Sequence, residues 1–160
     1  VELKTPHRDW LDDRGIDPDL AEKFGFHTVV REGRNWLAVP YVEHGQTVNH
    51  KYRVVSDKSF QRMDAGAPLT LLNHDCLLDE SLASTPLIIT EGEWDALAIM
   101  TAGKRRVVSV PNGAPKQTSD DQELQEGARY AWFWRHEASL AAVKQVILAV
   151  DNDEAGKALA

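Results

Sequence analysis

The spacing of apolar positions along this chain shifts from helical to alternating and then to continuous runs, and each shift marks a different kind of element. Near the N-terminus, Thr5-Pro6 reads as a cap followed by proline at the first helical position, with Gly15 closing that helix. Asp17-Pro18 repeats the device and Gly25 is the stop; between them Leu20, Ala21 and Phe24 fall on one helical face. These two short helices form a small platform.

From Phe26 to about Arg62 the runs are short, alternating and rich in Val, Tyr and Trp, and they are interrupted at Glu32-Gly33 and at His44-Gly45-Gln46. This predicts antiparallel hairpins. Trp36, Leu37, Val39 and Tyr41 fall on one strand and Thr47 to Val55 on the next, Asp64 to Pro68 reads as a loop, and the acidic stretch from Asp75 to Glu80 as surface. On a strand, Asn49, Lys51 and Arg53 share one face and His50, Tyr52 and Val54 the other. Lys58 and Arg62 follow closely, so the hairpin has a basic side that either holds phosphates or is simply solvated.

Continuous apolar runs then take over at Leu87-Ile88-Ile89, at Val107-Val108 with Val110, and at Val146 to Val150, with helical patterns between them. Strands buried on both faces have this composition, so the fold class is α/β: a parallel sheet with covering helices over 86–160, preceded by a smaller α+β lobe over 1–85. Trp132, Phe133 and Trp134 read as packing between helix and sheet. The six histidines show no ligand spacing and are taken as structural.

Composition narrows the chemistry. The chain has 160 residues, is 42% hydrophobic and carries a formal net charge of −7, so it can build a core but is not a protein that coats nucleic acid nonspecifically. Its single cysteine, Cys76, excludes an internal disulfide, and no close Cys/His grouping suits zinc, so any metal must rest on oxygen. No apolar run approaches the roughly 20 residues of a membrane helix, and Val-Glu-Leu-Lys-Thr-Pro lacks the regions of a signal peptide, which gives a cytoplasmic expectation.

Two of the buried runs end at once in acids: Leu87-Ile88-Ile89-Thr90 leads into Glu91-Gly92-Glu93-Trp94-Asp95, and Val146 to Val150 into Asp151-Asn152-Asp153-Glu154-Ala155-Gly156. Ligands of open parallel sheets bind beyond the carboxyl ends of the strands, so both groups land on the functional edge. Asp95 lies one helical turn after Glu91, Gly92 permits a tight exit, and Asp151 and Asp153 can converge on one cation. Mg²⁺ suits such a cluster, because it takes hard oxygen ligands and shares its shell with substrate phosphates. The plainer alternative is that these acids only cap helices, a common role at helix starts. Asn112-Gly113, after the strand at Val107 to Val110, brings backbone N–H groups to the same edge, either to line a nucleotide pocket or as a plain turn.

Glu91-Gly92-x-x-Asp95 and Asp151-x-Asp153-x-x-Gly156 resemble the pattern of the Toprim fold shared by primases, topoisomerases and some nucleases. Ile89 to Leu97, the turn Val108 to Ala114 and Asp153 to Ala158 together resemble the primase half of phage-type primase-helicases and their mitochondrial Twinkle-like relatives. Trp10-Leu11 with Arg14-Gly15-Ile16, Ala21 to Gly25, and Val39-Pro40-Tyr41 followed by Lys51-Tyr52-Arg53 resemble that family's polymerase region. The resemblance implies that Glu91, Asp151 and Asp153 hold the catalytic metal, Mg²⁺ or else Mn²⁺, with Asp95 close by. It also implies that Lys51, Arg53, Lys58, Asn112 and Gly113 serve nucleotide or template in a cleft between the lobes. The implied activity is metal-dependent synthesis of short RNA primers on single-stranded DNA. Its partners are ribonucleoside triphosphates and a replicative helicase, fused or separate, and the mitochondrial matrix is the alternative location.

The chain departs from the family's pattern in lacking a zinc-binding module, a further metal-site aspartate after the Asp-x-Asp helix, and the helicase half with its Gly-x-x-x-x-Gly-Lys-Ser/Thr loop. A fragment or excised domain, truncated at Ala160, is therefore expected. Two other functions are compatible with the same motifs: a noncatalytic helicase-coupling or single-strand-binding Toprim module, separable by a primer-synthesis assay, and a Toprim nuclease, separable by plasmid cleavage.

Overall fold

The computed structural model describes residues 2–113 and 130–159. The chain divides into two compact units, Val1–Pro68 and Leu69–Ala160.

The first unit opens with helices α1 (Thr5–Asp12) and α2 (Pro18–Lys23). Asp17 caps α2 as expected, its carboxylate accepting from the Asp19 N–H, and Gly25 follows at φ +81°. α1 differs: Lys4 is its N-cap and Thr5 is already helical, because a proline in the first turn needs no capped N–H. Four strands follow as an antiparallel meander in the order β1-β2-β3-β4: β1 (His27–Arg31), β2 (Arg34–Glu43), β3 (Gln46–Val54) and β4 (Asp57–Met63). Two-residue turns join the first three strands. Glu32 and Gly33 have φ of 54° and 69°, and His44 and Gly45 have 51° and 74°, the left-handed pairs that match strand twist. Thr28 ties the helical platform to β1. Its hydroxyl meets His7 Nδ1 at 2.8 Å and accepts from the Lys4 N–H at 2.8 Å.

The second unit contains a parallel sheet in the order β6-β5-β7, formed by β5 (Leu87–Thr90), β6 (Val107–Ser109) and β7 (Val146–Ala149). Helix α3 (Glu93–Thr101) packs on β5 and β6, burying Ala96, Leu97 and Met100. Leu87, Ile89, Val108 and Val110 enter a core with Leu71, Cys76, Leu82 and Trp132. Short helices α4 (Ala131–Arg135) and α5 (Glu137–Ala141) precede β7, and α6 (Glu154–Leu159) follows it.

The α/β class with a smaller α+β lobe is thus as expected, but its details differ in three places. Residues 69–85 fold with the second unit rather than the first: Leu72 bridges to Ser109, and Leu71, Cys76 and Leu82 supply its core. Their apolar side chains are spaced irregularly, so no strand or helix period advertised this partner. β7 is not buried on both faces, since Val146, Ile147 and Leu148 are 43–47% exposed. Among the described residues β7 pairs only with β5, and an edge strand has one neighbour to cover it. Of the aromatic triplet only Trp132 is packed away, while Phe133 and Trp134 are exposed. The histidines His7, His74 and His136 are buried; His136 Nε2 meets the Thr70 hydroxyl at 2.7 Å and its ring lies against that of His74.

Candidate metal centre

β5 and β7 run parallel and in register, Thr90 opposite Ala149, so the two acidic segments leave adjacent strands at one edge. The exit from β5 is anchored by buried Thr90, whose hydroxyl lies 3.0 Å from the Gly92 carbonyl and 3.3 Å from that of Val108. From there the Glu91 side chain reaches across: Oε1 accepts from the backbone N–H of Asp151 at 2.7 Å. Residues 60 positions apart in the chain are therefore joined at the rim. Asp153 Oδ1 accepts from the Gly156 N–H at 2.8 Å, so this acid does cap α6, as the plainer reading held.

Two glycines make the approach possible, and neither does so through positive φ. A Cβ on Gly92 would lie 2.9 Å from Asp95 Oδ2, because the Asp95 carboxylate folds back over the strand exit. Gly92 itself is extended, with φ −127° and ψ 155°, so what it provides at the strand exit is room. A Cβ on Gly156 would overlap the Asp151 carbonyl oxygen and stand 2.6 Å from Glu91 Oε1. Gly156, which was not singled out as a site residue, is thus where both acidic segments meet α6; its place in the Asp-x-Asp-x-x-Gly pattern was the available signal.

Partial desolvation, reinforced by the neighbouring Asp151 carboxylate, holds the Asp95 carboxyl above the usual aspartate range. A raised acid favours the folded state while protonated, and that contribution is lost as pH rises through the folded pKa. Asp95→Asn, measured in chelator, is therefore expected to melt higher than the parent at pH 7. The gap should close as pH falls below about 3.9, the ordinary aspartate value. A gap that widened on acidification would contradict this electrostatic picture.

The remaining candidates are placed as follows. Asn112 is exposed and Gly113, at φ +69°, lies 4.0 Å from the Glu91 carbonyl oxygen at its would-be Cβ, so this turn sits beside the β5 exit. Ala114, the end of that turn, and Ala160 lie outside the described residues. Lys51 and Arg53 are half-buried on β3, opposite Met63 and Gln61 of β4. Asn49, assigned with them to a basic face, is buried and donates to the Pro68 carbonyl at 2.9 Å. Lys58 lies on β4, its side chain outside what is described.

The sequence led to the expectation that three carboxylates converge on one ion. Among the described residues no three His, Cys, Asp or Glu side chains are gathered into a ready ligand set. Glu91 and Asp153 each spend one oxygen on a backbone N–H. The donor chemistry nevertheless fits a hard divalent cation: Asp151 and Asp153 are exposed, and Glu91 and Asp153 keep a second oxygen each.

Adjacent parallel strand ends that present Glu-Gly-x-x-Asp and Asp-x-Asp carry the Toprim pattern, and residues 85–160 match the Toprim domain family. The chain is 32% identical over 126 residues to the Twinkle homolog protein, chloroplastic/mitochondrial, of Arabidopsis thaliana, a match covering 78% of this chain and 17% of that one. It is likewise 32% identical over 126 residues to the Primase homolog protein of the same plant, covering 78% of this chain and 36% of that one. The chain therefore spans about a sixth and about a third of these relatives. Among solved structures, the primase fragment of the bacteriophage T7 primase-helicase protein superposes with a TM-score of 0.68 at 23% identity, covering 91% of this chain and 55% of that one, and so shares its fold. Residues 85–160 of this chain are thus a Toprim domain, set in a fold shared with that primase fragment. No helix among the described residues is long and apolar enough to cross a membrane.

Proposed function

We propose that this chain is the catalytic core of a DNA primase, joining ribonucleotides into short RNA primers on single-stranded DNA by metal-dependent nucleotidyl transfer. The observation that carries the reading is the 2.7 Å bond from the Asp151 N–H to Glu91 Oε1, which brings two acidic strand exits to one rim. In this reading Glu91, Asp151 and Asp153 hold Mg²⁺ or Mn²⁺, and Asp95 adds negative charge beside them. The ion, when bound, neutralises charge on the reacting phosphate and favours the ionised 3′-hydroxyl. Lys51, Arg53 and Lys58 bind the triphosphate or the template backbone by charge, and Asn112-Gly113 presents backbone N–H groups beside Glu91. A replicative helicase, fused or separate, would deliver the template.

The test is incorporation of ribonucleoside triphosphates on single-stranded DNA, with and without chelator. Asp151→Asn and Asp153→Asn should abolish it without lowering the melting temperature, since asparagine caps a helix as well as aspartate does and loss of the Asp151 charge relieves Asp95. Synthesis by either variant at the parent's rate would remove the mechanism. A second reading, a noncatalytic helicase-coupling module, draws on the carboxylate oxygens already committed to backbone N–H groups. A parent protein that binds single-stranded DNA yet makes no product would favour it.

A further inference from the structure

The four-stranded sheet of the first unit has a face on which Lys51 and Arg53 do not lie. The register places Val29 opposite Trp36, Arg31 opposite Arg34, Ala38 opposite Tyr52, and Tyr52 opposite Arg62, so these side chains share that face. On it, arginines stand over rings. The Arg34 guanidinium stands 3.9 Å over Phe60, that of Arg62 4.7 Å over Trp36, and that of Arg31 4.3 Å over Tyr52. Trp36 and Phe60 meet edge to face at 6.3 Å, and His50 stacks on Tyr52 at 5.6 Å, linking the units of the ladder. Trp36 and Tyr52 are buried beneath their arginines, whereas Arg31, Arg34, Arg62 and Phe60 are exposed.

We propose that this arginine–aromatic ladder is a docking surface for single-stranded nucleic acid. Residues 27–63 carry six Lys and Arg against three Asp and Glu, in a chain whose net charge is −7. The acids nearby are engaged or peripheral: Asp57 takes the Ser59 hydroxyl at 2.6 Å, Asp64 faces His50 Nδ1 at 2.9 Å, and Glu32, far out in solvent, lies 3.6 Å from Arg62. Arg31 gives one N–H to the Tyr52 hydroxyl at 3.3 Å and Arg62 turns one toward Glu32, and each guanidinium, with five donors, has others to turn to phosphate and an outer plane to offer a base. Arg34, Phe60, Asn35, Val54 and Ser56 also line a cavity of about 460 Å³, of a size to take one unstacked base against an amide and a hydroxyl. A duplex hides its base faces and would use only the charges. The proposal rests on the primase reading solely in naming the strand as template.

The experiment is fluorescence anisotropy of the 160-residue chain with a labelled oligothymidylate of about 20 nucleotides, in chelator and across a salt series. Replacing Arg31, Arg34 and Arg62 together by Ala should weaken binding about tenfold or more. It should also flatten the slope of log affinity against log salt by about 2, at roughly 0.7 per phosphate released. Phe60→Ala should weaken binding with the slope unchanged, and a duplex of equal length should bind less tightly. If the triple alanine variant loses its fold by circular dichroism, the triple lysine variant, which keeps charge and stem, replaces it and should bind less tightly at an unchanged slope. Binding by the folded variant within twofold of the parent, or equal affinity for duplex, would overturn the proposal. Because these measurements exclude metal, they fail or succeed independently of the synthesis assay.

Discussion

Gly156→Ala is expected to lower metal-dependent nucleotide incorporation about a hundredfold, the scale associated with an ångström-level displacement of reacting groups. The reason is crowding. A Cβ at this position would overlap the Asp151 carbonyl oxygen and lie 2.6 Å from Glu91 Oε1. A flexible side chain can rotate away, but the carbonyl belongs to the backbone that carries Asp151 itself. Either the Asp151 turn moves, which disturbs its bond to Glu91, or α6 withdraws, which breaks the bond from the Gly156 N–H to Asp153. Alanine is the better helix former by about 1 kcal/mol, so an uncrowded site would gain stability on substitution. Overpacking costs about 1–3 kcal/mol, so a net loss of up to about 2 kcal/mol should appear as a melting temperature lower by up to roughly 8 °C. A variant that melted higher than the parent and bound Mn²⁺ with the same affinity would show that α6 has room, and that the acids do not depend on its close approach.

The rim of the sheet was legible in the sequence because two signals coincide there: continuous β-branched runs that suit a parallel sheet, and acids that follow both runs without a spacer. Adjacency was not legible. That β5 lies between β6 and β7, placing Glu91 beside Asp151, is a property of strand order, which no local pattern encodes. The same limit explains β7, whose apolar run reads as buried although among the described residues it pairs only with β5. Asp153 was ambiguous for a chemical reason, since a residue that opens a helix after a strand is equally well placed to cap and to ligate. The arginine–aromatic ladder escaped notice because its members are scattered over four strands. Trp36 and Arg62 become neighbours only when the registers of two hairpins, shifted between Tyr41 and Val42 in one and between Arg53 and Val54 in the other, are combined. Gly92 was read as permitting a tight exit from the strand, and the residue that comes close to it, the Asp95 carboxylate, is not legible from the spacing alone.

Glu91→Gln should separate what Glu91 does for the fold from what it does for a cation. Its Oε1 accepts the Asp151 N–H at 2.7 Å, and a glutamine amide oxygen can accept the same bond without the charge. Hydrogen bonds to charged groups contribute about 1.5–3 kcal/mol against about 0.5–1.5 kcal/mol for neutral ones, so the fold should lose at most a small part of its stability. Half-buried Glu91 leaves that N–H within reach of water, which softens the cost further. A hard cation, by contrast, loses a full negative charge at the junction of both acidic segments. Calorimetric Mn²⁺ affinity should fall by more than about a hundredfold, beyond the range for an outer-shell partner, and nucleotide incorporation should fall with it. Glu91→Ala should show the same metal defect together with a lower melting temperature, since the strand exits are then no longer tied. If glutamine at this position preserved Mn²⁺ affinity, Glu91 would be a structural brace alone, and the cation would have to rest on Asp151, Asp153 and Asp95 without it.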